Sequence, residues 1–298
     1  MRVERLPSPP NPIIRPHMDA RMGANVNGPS LIRVPEWVQS PLGRYYLYFG
    51  HHQGKYIRLA YAEALEGPWH TYEPGVLDLE NSFFVGHIAS PDVLVDDDRR
   101  ELRLYFHGPL APHDRNVGPH GRHAQATRAA LSVDGLHFTA REEVLGSSYM
   151  RVFRYRGAHH GVSMSGIFLR SDDGLTSFVE GPTLYGEEQR HVGLKRVGDL
   201  LYVFHSNRGD CAERIRVSTV DLRPDWNAWR ASPPQDVLRP EHDWEGVNEP
   251  LVPSEGGAIH HPVHQLRDPY VFAEDGRDYL LYTVAGESGI AIARLFLD

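Results

Sequence analysis

The chain has 298 residues, 41% of them hydrophobic and 23% charged, which is enough to bury a sizeable core and too apolar for a disordered chain. A formal net charge of -8 without any lysine or arginine run argues against a nucleic-acid backbone as the main ligand and favours a neutral or cationic small molecule. The single cysteine, Cys211, rules out an internal disulfide or a cysteine zinc cluster, and no stretch of about 18 apolar residues predicts a membrane span.

The first 25 residues hold five prolines and no apolar core, so they do not read as a signal peptide, and a cytoplasmic location is expected. Beyond them helical periodicity is scarce, and three kinds of short strand recur in one order. The first copy reads "GPSLIRV", "GRYYLYF" and "YIRLAYAEALEGPW". The second reads "SPDVLVD", "ELRLYF" and "ATRAALSVDGLHF". The third, with a weaker middle, reads "YMRVFRY", "HHGVSMS" and "GIFLRSDDGLTSF". The fourth is "RHVGLKR", "GDLLYVF" and "ERIRVSTVDLRPDW", and the fifth "RDPYVFAEDG", "GRDYLLY" and "GIAIARLFLD". In four copies a polar turn and then an aromatic residue (Trp69, Phe138, Phe178 or Trp226) announce an outer strand.

Five copies of inner, middle, outer and edge strands predict a single all-β domain over 1–298, a five-bladed β-propeller. Its blades span roughly 25–80, 81–145, 146–185, 186–240 and 241–298. The fifth lacks an edge strand, and "RVERL" within residues 1–10 is placed to supply it and close the ring. The rival architecture, a β-sandwich or two smaller β domains, does not account for the constant order of the repeat.

In antiparallel blades the start of each inner strand and the end of the next strand share one face of the disc. That gathers Asn25, Asn27, His87, Asp92, Tyr149, Arg151, Arg190, His191, Arg267 and Asp268 with His51, His52, His107, Ser165, His205 and Glu287. Such a density of donors and acceptors suits a hydroxyl-rich ligand, a small carbohydrate.

Here "SPDVLVDDDRRELRLYF", "YIRLAYAEALEGPW" and "RDPYVF" resemble the five-bladed propeller glycoside hydrolases of families 43, 62, 117, 32 and 68. The resemblance implies a glycosidase cutting furanosides, xylosides or fructans with three acidic residues at the axis. It implies a transition-state-stabilising role for Asp268 in its Arg-Asp-Pro triplet, and it matches Asp92 to a blade start of family 43. Where that family opens its first blade with a basic aspartate, this chain has Asn27 and Gly28, so inverting hydrolysis must recruit another carboxylate, such as Asp19.

The expected mechanism uses Asp92 and Asp268 as base, stabiliser or pKa modulator and Glu245, beside Trp244, as proton donor; Glu188, Glu249 and Glu287 are rivals for the donor. Arg154, Arg190 and Arg267 are placed to hold carboxylates or bind a substrate acid group, and Asn27, His51, His52, His87, His107, His191, His205 and Glu287 to bind the sugar. His113, His120 and His123 read as a solvated or lid segment. No cofactor is required, although the axis leaves room for a structural metal ion. Two alternatives remain open: a non-catalytic sugar-binding propeller, and a lyase or metal-assisted reaction using the histidines.

Overall fold

The computed structural model describes residues 1–7, 11–112 and 125–297. Five antiparallel sheets follow one another around an axis. The inner strands are Asn27–Arg33, Ala89–Asp96, Arg151–Tyr155, Gln189–Val197 and Arg267–Glu274. The middle strands are Tyr45–Gly50, Glu101–Pro109, Ala158–Ser163, Leu200–Asn207 and Arg277–Thr283. Arg2–Arg5 pairs antiparallel with Ile290–Phe296, so the N-terminal segment is the fourth strand of blade 5 and closes the ring.

Side chains of the middle strands fill the space between blades, because a strand flanked by sheets on both faces presents two apolar rows. Tyr46, Tyr48, Phe49, Tyr105, Phe106, Phe204 and Tyr282 are all buried there. Burying one such phenylalanine stabilises the fold by about 1.5–3 kcal/mol. Trp69, Phe138 and Phe178 are buried directly ahead of the outer strands His70–Thr71, Thr139–Ala140 and Val179–Thr183, as expected. Trp226 instead begins a 3-10 turn, and the outer strand of its blade, Gln235–Leu238, comes later.

Four inner strands share an irregularity that positions the axial groups. The register with the middle strand slips between Asn27 and Ser30, Ala89 and Asp92, Gln189 and Val192, and Arg267 and Tyr270. In three of these bulges the second residue has positive φ, namely Gly28 (59°), Ser90 (48°) and Asp268 (51°), and a proline follows each. A bulge turns its residue out of the pleat alternation and aims it along the strand end. Gly28 has no room for a side chain there, since a Cβ would lie 2.9 Å from Ser90 Cα. Close approach of two inner strands is thus the physical reason that blade 1 carries no aspartate where blade 5 carries Asp268.

Arg151 occupies the axis itself. Its guanidinium donates to the carbonyls of Pro29 (2.9 Å), Val192 (3.2 Å) and Pro91, pairs with Asp92 Oδ1 at 3.3 Å and lies 5.1 Å from the Tyr270 ring centre. One side chain thereby touches the inner strands of all the other blades. A metal ion at this point of the axis does not fit the residues present, because the guanidinium already takes the oxygens that would hold it. Among the described residues no three His, Cys, Asp or Glu side chains are grouped to hold a metal.

Candidate active site

At the end of the axis where the inner strands begin lies a cavity of about 370 Å³. Its walls come from strand ends and the loops between strands: His52, Gln125, Ser147, Ser148, Tyr149, Glu187, Glu188, Arg190, His191, Arg208, Gly256 and Gly257 among others. Nearly all of these side chains are polar, as a sugar-sized hydroxyl-bearing ligand requires.

His191 stands on the floor. Its Nδ1 contacts Asp268 Oδ1, and the Tyr149 ring stacks on it with centroids 3.8 Å apart. Asp268 is fully buried beneath, where its other oxygen accepts from Gly28 N–H at 3.3 Å and Thr283 Oγ1 at 3.4 Å. Burial, with the cations of Arg190 alongside, holds the His191 imidazole well below its usual pKa and therefore neutral. A neutral ring that carries its proton on Nδ1, on the side of the carboxylate, keeps a lone pair on Nε2. Asp268 thus reaches the cavity through His191.

A second histidine on the cavity is backed in the same way. His52 Nδ1 lies 3.2 Å from Glu287 Oε1, and Glu287 also meets Arg267 Nη1 at 3.3 Å, Asn27 Nδ2 at 3.4 Å and the Asn25 amide. Burial alone raises the Glu287 pKa, but His52, Arg267 and Asn25 together outweigh it and hold the carboxyl below its usual value. Arg190 and Arg267 converge on Glu213, with both Nε atoms 3.2 Å from its carboxylate, and Ser206 donates to the same group at 2.6 Å.

The other expected residues are distributed differently. His107 is buried behind Tyr149, ring centres 3.9 Å apart, and neither of its nitrogens has a hydrogen-bond partner among the described residues. His87 stands edge-on to it at 6.3 Å, and His51 neighbours His260 at 6.2 Å. His205 turns away from the cavity toward Tyr185 and Asn207. Asp92 lies two residues past its bulge, buried under Arg151 and accepting from Val152 N–H at 2.8 Å. Burial raises its pKa, and the contacts with Arg151 and Val152 only partly reverse that.

Two expectations are corrected. Arg154 is at the far end of its inner strand, on the opposite face, bonded to Asp96 at 2.6 Å and to His159 at 3.1 Å. Glu245 does not face the cavity: fully buried near the outer edge of blade 5, it accepts from Arg5 Nε (2.8 Å) and Nη2 (2.9 Å), Tyr282 Oη (2.9 Å) and the Glu241 and His242 amides. A carboxylate so occupied is a structural latch, and it is not among the residues that line the cavity. His113, His120 and His123 fall outside the described residues. Sequence reasoning left out Glu213, Arg208 and Ser148, which sit in loops, and Gln125 and Ser147, which sit at strand ends outside the repeated pattern.

Compared with known proteins, the chain is 37% identical to the uncharacterized protein R118 of Acanthamoeba polyphaga mimivirus, over 324 aligned positions that cover 96% of this chain and 89% of that protein. The chain belongs to the family of that protein. No protein-family model matches it. Among solved structures it is similar to a family 43 β-xylosidase/α-arabinofuranosidase from a compost metagenome, crystallised with xylotriose, at 13% identity and TM-score 0.60 over 96% of this chain and 94% of that one. It is also similar to an α-L-arabinanase of Cellvibrio cellulosa complexed with arabinohexaose (13%, 0.58, 92% and 93%) and to an endo-1,4-β-xylanase of Bacteroides thetaiotaomicron (12%, 0.60, 90% and 89%). These likenesses establish the five-bladed propeller of the family 43 type as the fold.

Proposed function

We propose that the protein is a glycoside hydrolase, exo-acting on small furanosides or xylosides bound in the axial cavity. The observation that carries this reading is the cavity itself, sugar-sized, polar and centred on the propeller axis, with two histidine–carboxylate pairs on its walls. Propellers of the same architecture that bind xylotriose or arabinohexaose support it.

The chemistry differs from a three-carboxylate scheme. Hydrolysis needs one group to protonate the leaving oxygen and another to activate water. His191, oriented by Asp268, takes the proton from water at Nε2. His52, hydrogen-bonded to Glu287, is the group placed to hand a proton to the leaving oxygen. Asp92, locked under Arg151, holds the floor rigid and takes no part in proton transfer.

The test is a screen of the purified chain against aryl furanosides, aryl xylosides and arabino- and fructo-oligosaccharides, reading released sugar. Release is expected for one class, with kcat lowered about 10²–10⁴-fold in His191→Ala and in Asp268→Asn. Asparagine suits the left-handed backbone at 268, so the second variant keeps the fold. Unchanged turnover in both variants overturns the mechanism. Sugars that raise the melting temperature without being cut would favour a binding propeller, a reading consistent with the fact that Glu187 and Glu188, both exposed, are the carboxylates lining the cavity directly.

A further inference from the structure

Building on the reading above, on which it rests, we propose that the sugar bound in the axial cavity carries a negatively charged substituent, a carboxylate or an acidic ester, gripped by Arg208 and Arg190.

Among the described residues the cavity offers no open tryptophan, phenylalanine or tyrosine face on which a neutral sugar ring could stack: no tryptophan or phenylalanine lines it, and Tyr149 has both faces covered, by His107 at 3.9 Å and His191 at 3.8 Å between ring centres. Recognition therefore falls to hydrogen bonds and charge.

Arg208 lines the cavity exposed, and among the described residues its guanidinium has neither an ion-pair nor a hydrogen-bond partner; only its backbone N–H is engaged, donating to Glu188 O at 2.8 Å. The chain opposite is Gly256, where a Cβ would lie 3.5 Å from both Cδ and Nη1 of Arg208, so no side chain covers the guanidinium from that side. Such a group presents a planar fork that matches a carboxylate or a phosphate-like oxyanion with two parallel hydrogen bonds.

Arg190, on the same wall, shares its carboxylate partner and also donates from Nη2 to the Glu255 carbonyl. Glu213 serves both Arg190 and Arg267, and the other carboxylate of Arg267, Glu287, is shared with His52. These two guanidinium groups and two carboxylates balance in charge, so among the described residues the guanidinium without a partner on this wall is that of Arg208, with Arg190 lining the cavity beside it.

Glu187 and Glu188 line the same cavity and oppose this. Neither forms an ion pair among the described residues, and both are exposed, where water and salt screen them. Their position fixes the orientation of the ligand: the anionic group lies against Arg208 and the glycines at 256 and 257, and the neutral hydroxyls lie toward the glutamates.

The experiment is calorimetric titration of the full chain with matched methyl glycosides, one neutral (xyloside), one uronic acid (glucuronide) and one sulfated. The expected result is binding of an anionic sugar at least about 10-fold tighter than the neutral one, with that preference lost in Arg208→Gln. The uronide and the sulfated sugar differ only in the source of the anion, and whichever binds more tightly names it. Glu187→Gln is expected to strengthen anion binding. Because the Arg208 guanidinium has no partner to lose among the described residues, its variant should melt with the wild type, which separates loss of recognition from loss of fold. Equal affinity for neutral and anionic sugars, or a preference that survives in Arg208→Gln, overturns the proposal. If a neutral glycoside is bound and cut without such preference, only this inference falls; if no sugar binds, the hydrolase reading falls with it.

Discussion

Four buried histidines carry much of the pH response of this protein. Burial lowers the pKa of His160 and His205 to about 4, and it holds His107 and His191 well below the usual value as well. In the unfolded chain each titrates near 6.5. A histidine depressed on folding contributes stability that is fully present above pH 6.5, and that contribution is lost as the pH falls through 6.5 toward 4, because the unfolded state binds the proton first. Each group removes about 1.4 kcal/mol per pH unit in that window. The urea midpoint should therefore fall markedly between pH 7.5 and pH 5, and equal midpoints at the two values would contradict the neutral, buried state of these rings. At the same scale, Asp268 was legible as an axial residue from its Arg-Asp-Pro context alone, whereas its dependence on His191 was not. The two lie 77 positions apart in the sequence, and nothing local links an aspartate in one bulge to a histidine in the next blade.

Among the elements, the inner strands show how far a repeat can be read and where it stops. Their order and type follow from alternating apolar residues and proline-marked bulges, and the structure has them in that order. Which end of a strand faces the cavity is a matter of rise: Arg151 and Arg154 differ by three residues, about 10 Å along a strand, and so lie on opposite faces of the disc. The N-terminal strand was legible as the missing edge of blade 5, but its anchor was not. Arg5, on that strand, donates twice to Glu245 and once to Glu241 Oε2 at 2.7 Å. Glu245→Gln should therefore loosen the ring closure, lowering stability by about 3–5 kcal/mol as expected when one partner of a buried pair is removed. Turnover under folding conditions should stay unchanged. Denaturant unfolding together with kcat checks both, and lost activity in a fully folded variant would return Glu245 to the site.

For the whole molecule the decisive group is Arg151, because its one guanidinium touches the inner strands of the four other blades. Arg151→Met should leave Asp92 buried without its cation and three inner-strand carbonyls without their donor, at a cost of about 3–5 kcal/mol. Adding Asp92→Asn should recover part of that loss, since the unpaired charge is then gone; a double variant as unstable as the single one would show that the carbonyl contacts dominate.

The sequence by itself determined the fold class, the number of blades, the strand that closes the ring and the face on which polar groups gather, because these depend on a strand periodicity repeated five times and on turn chemistry repeated in most of the copies. Only the tertiary structure decided which polar groups meet. The Asp268–His191 contact, the Glu213 bridge between two arginines and the occupation of the axis by Arg151 join residues from different blades, and the outer latch of Glu245 joins positions 240 residues apart in the chain. Their distances are fixed by how the sheets pack around the axis, which no stretch of local sequence specifies.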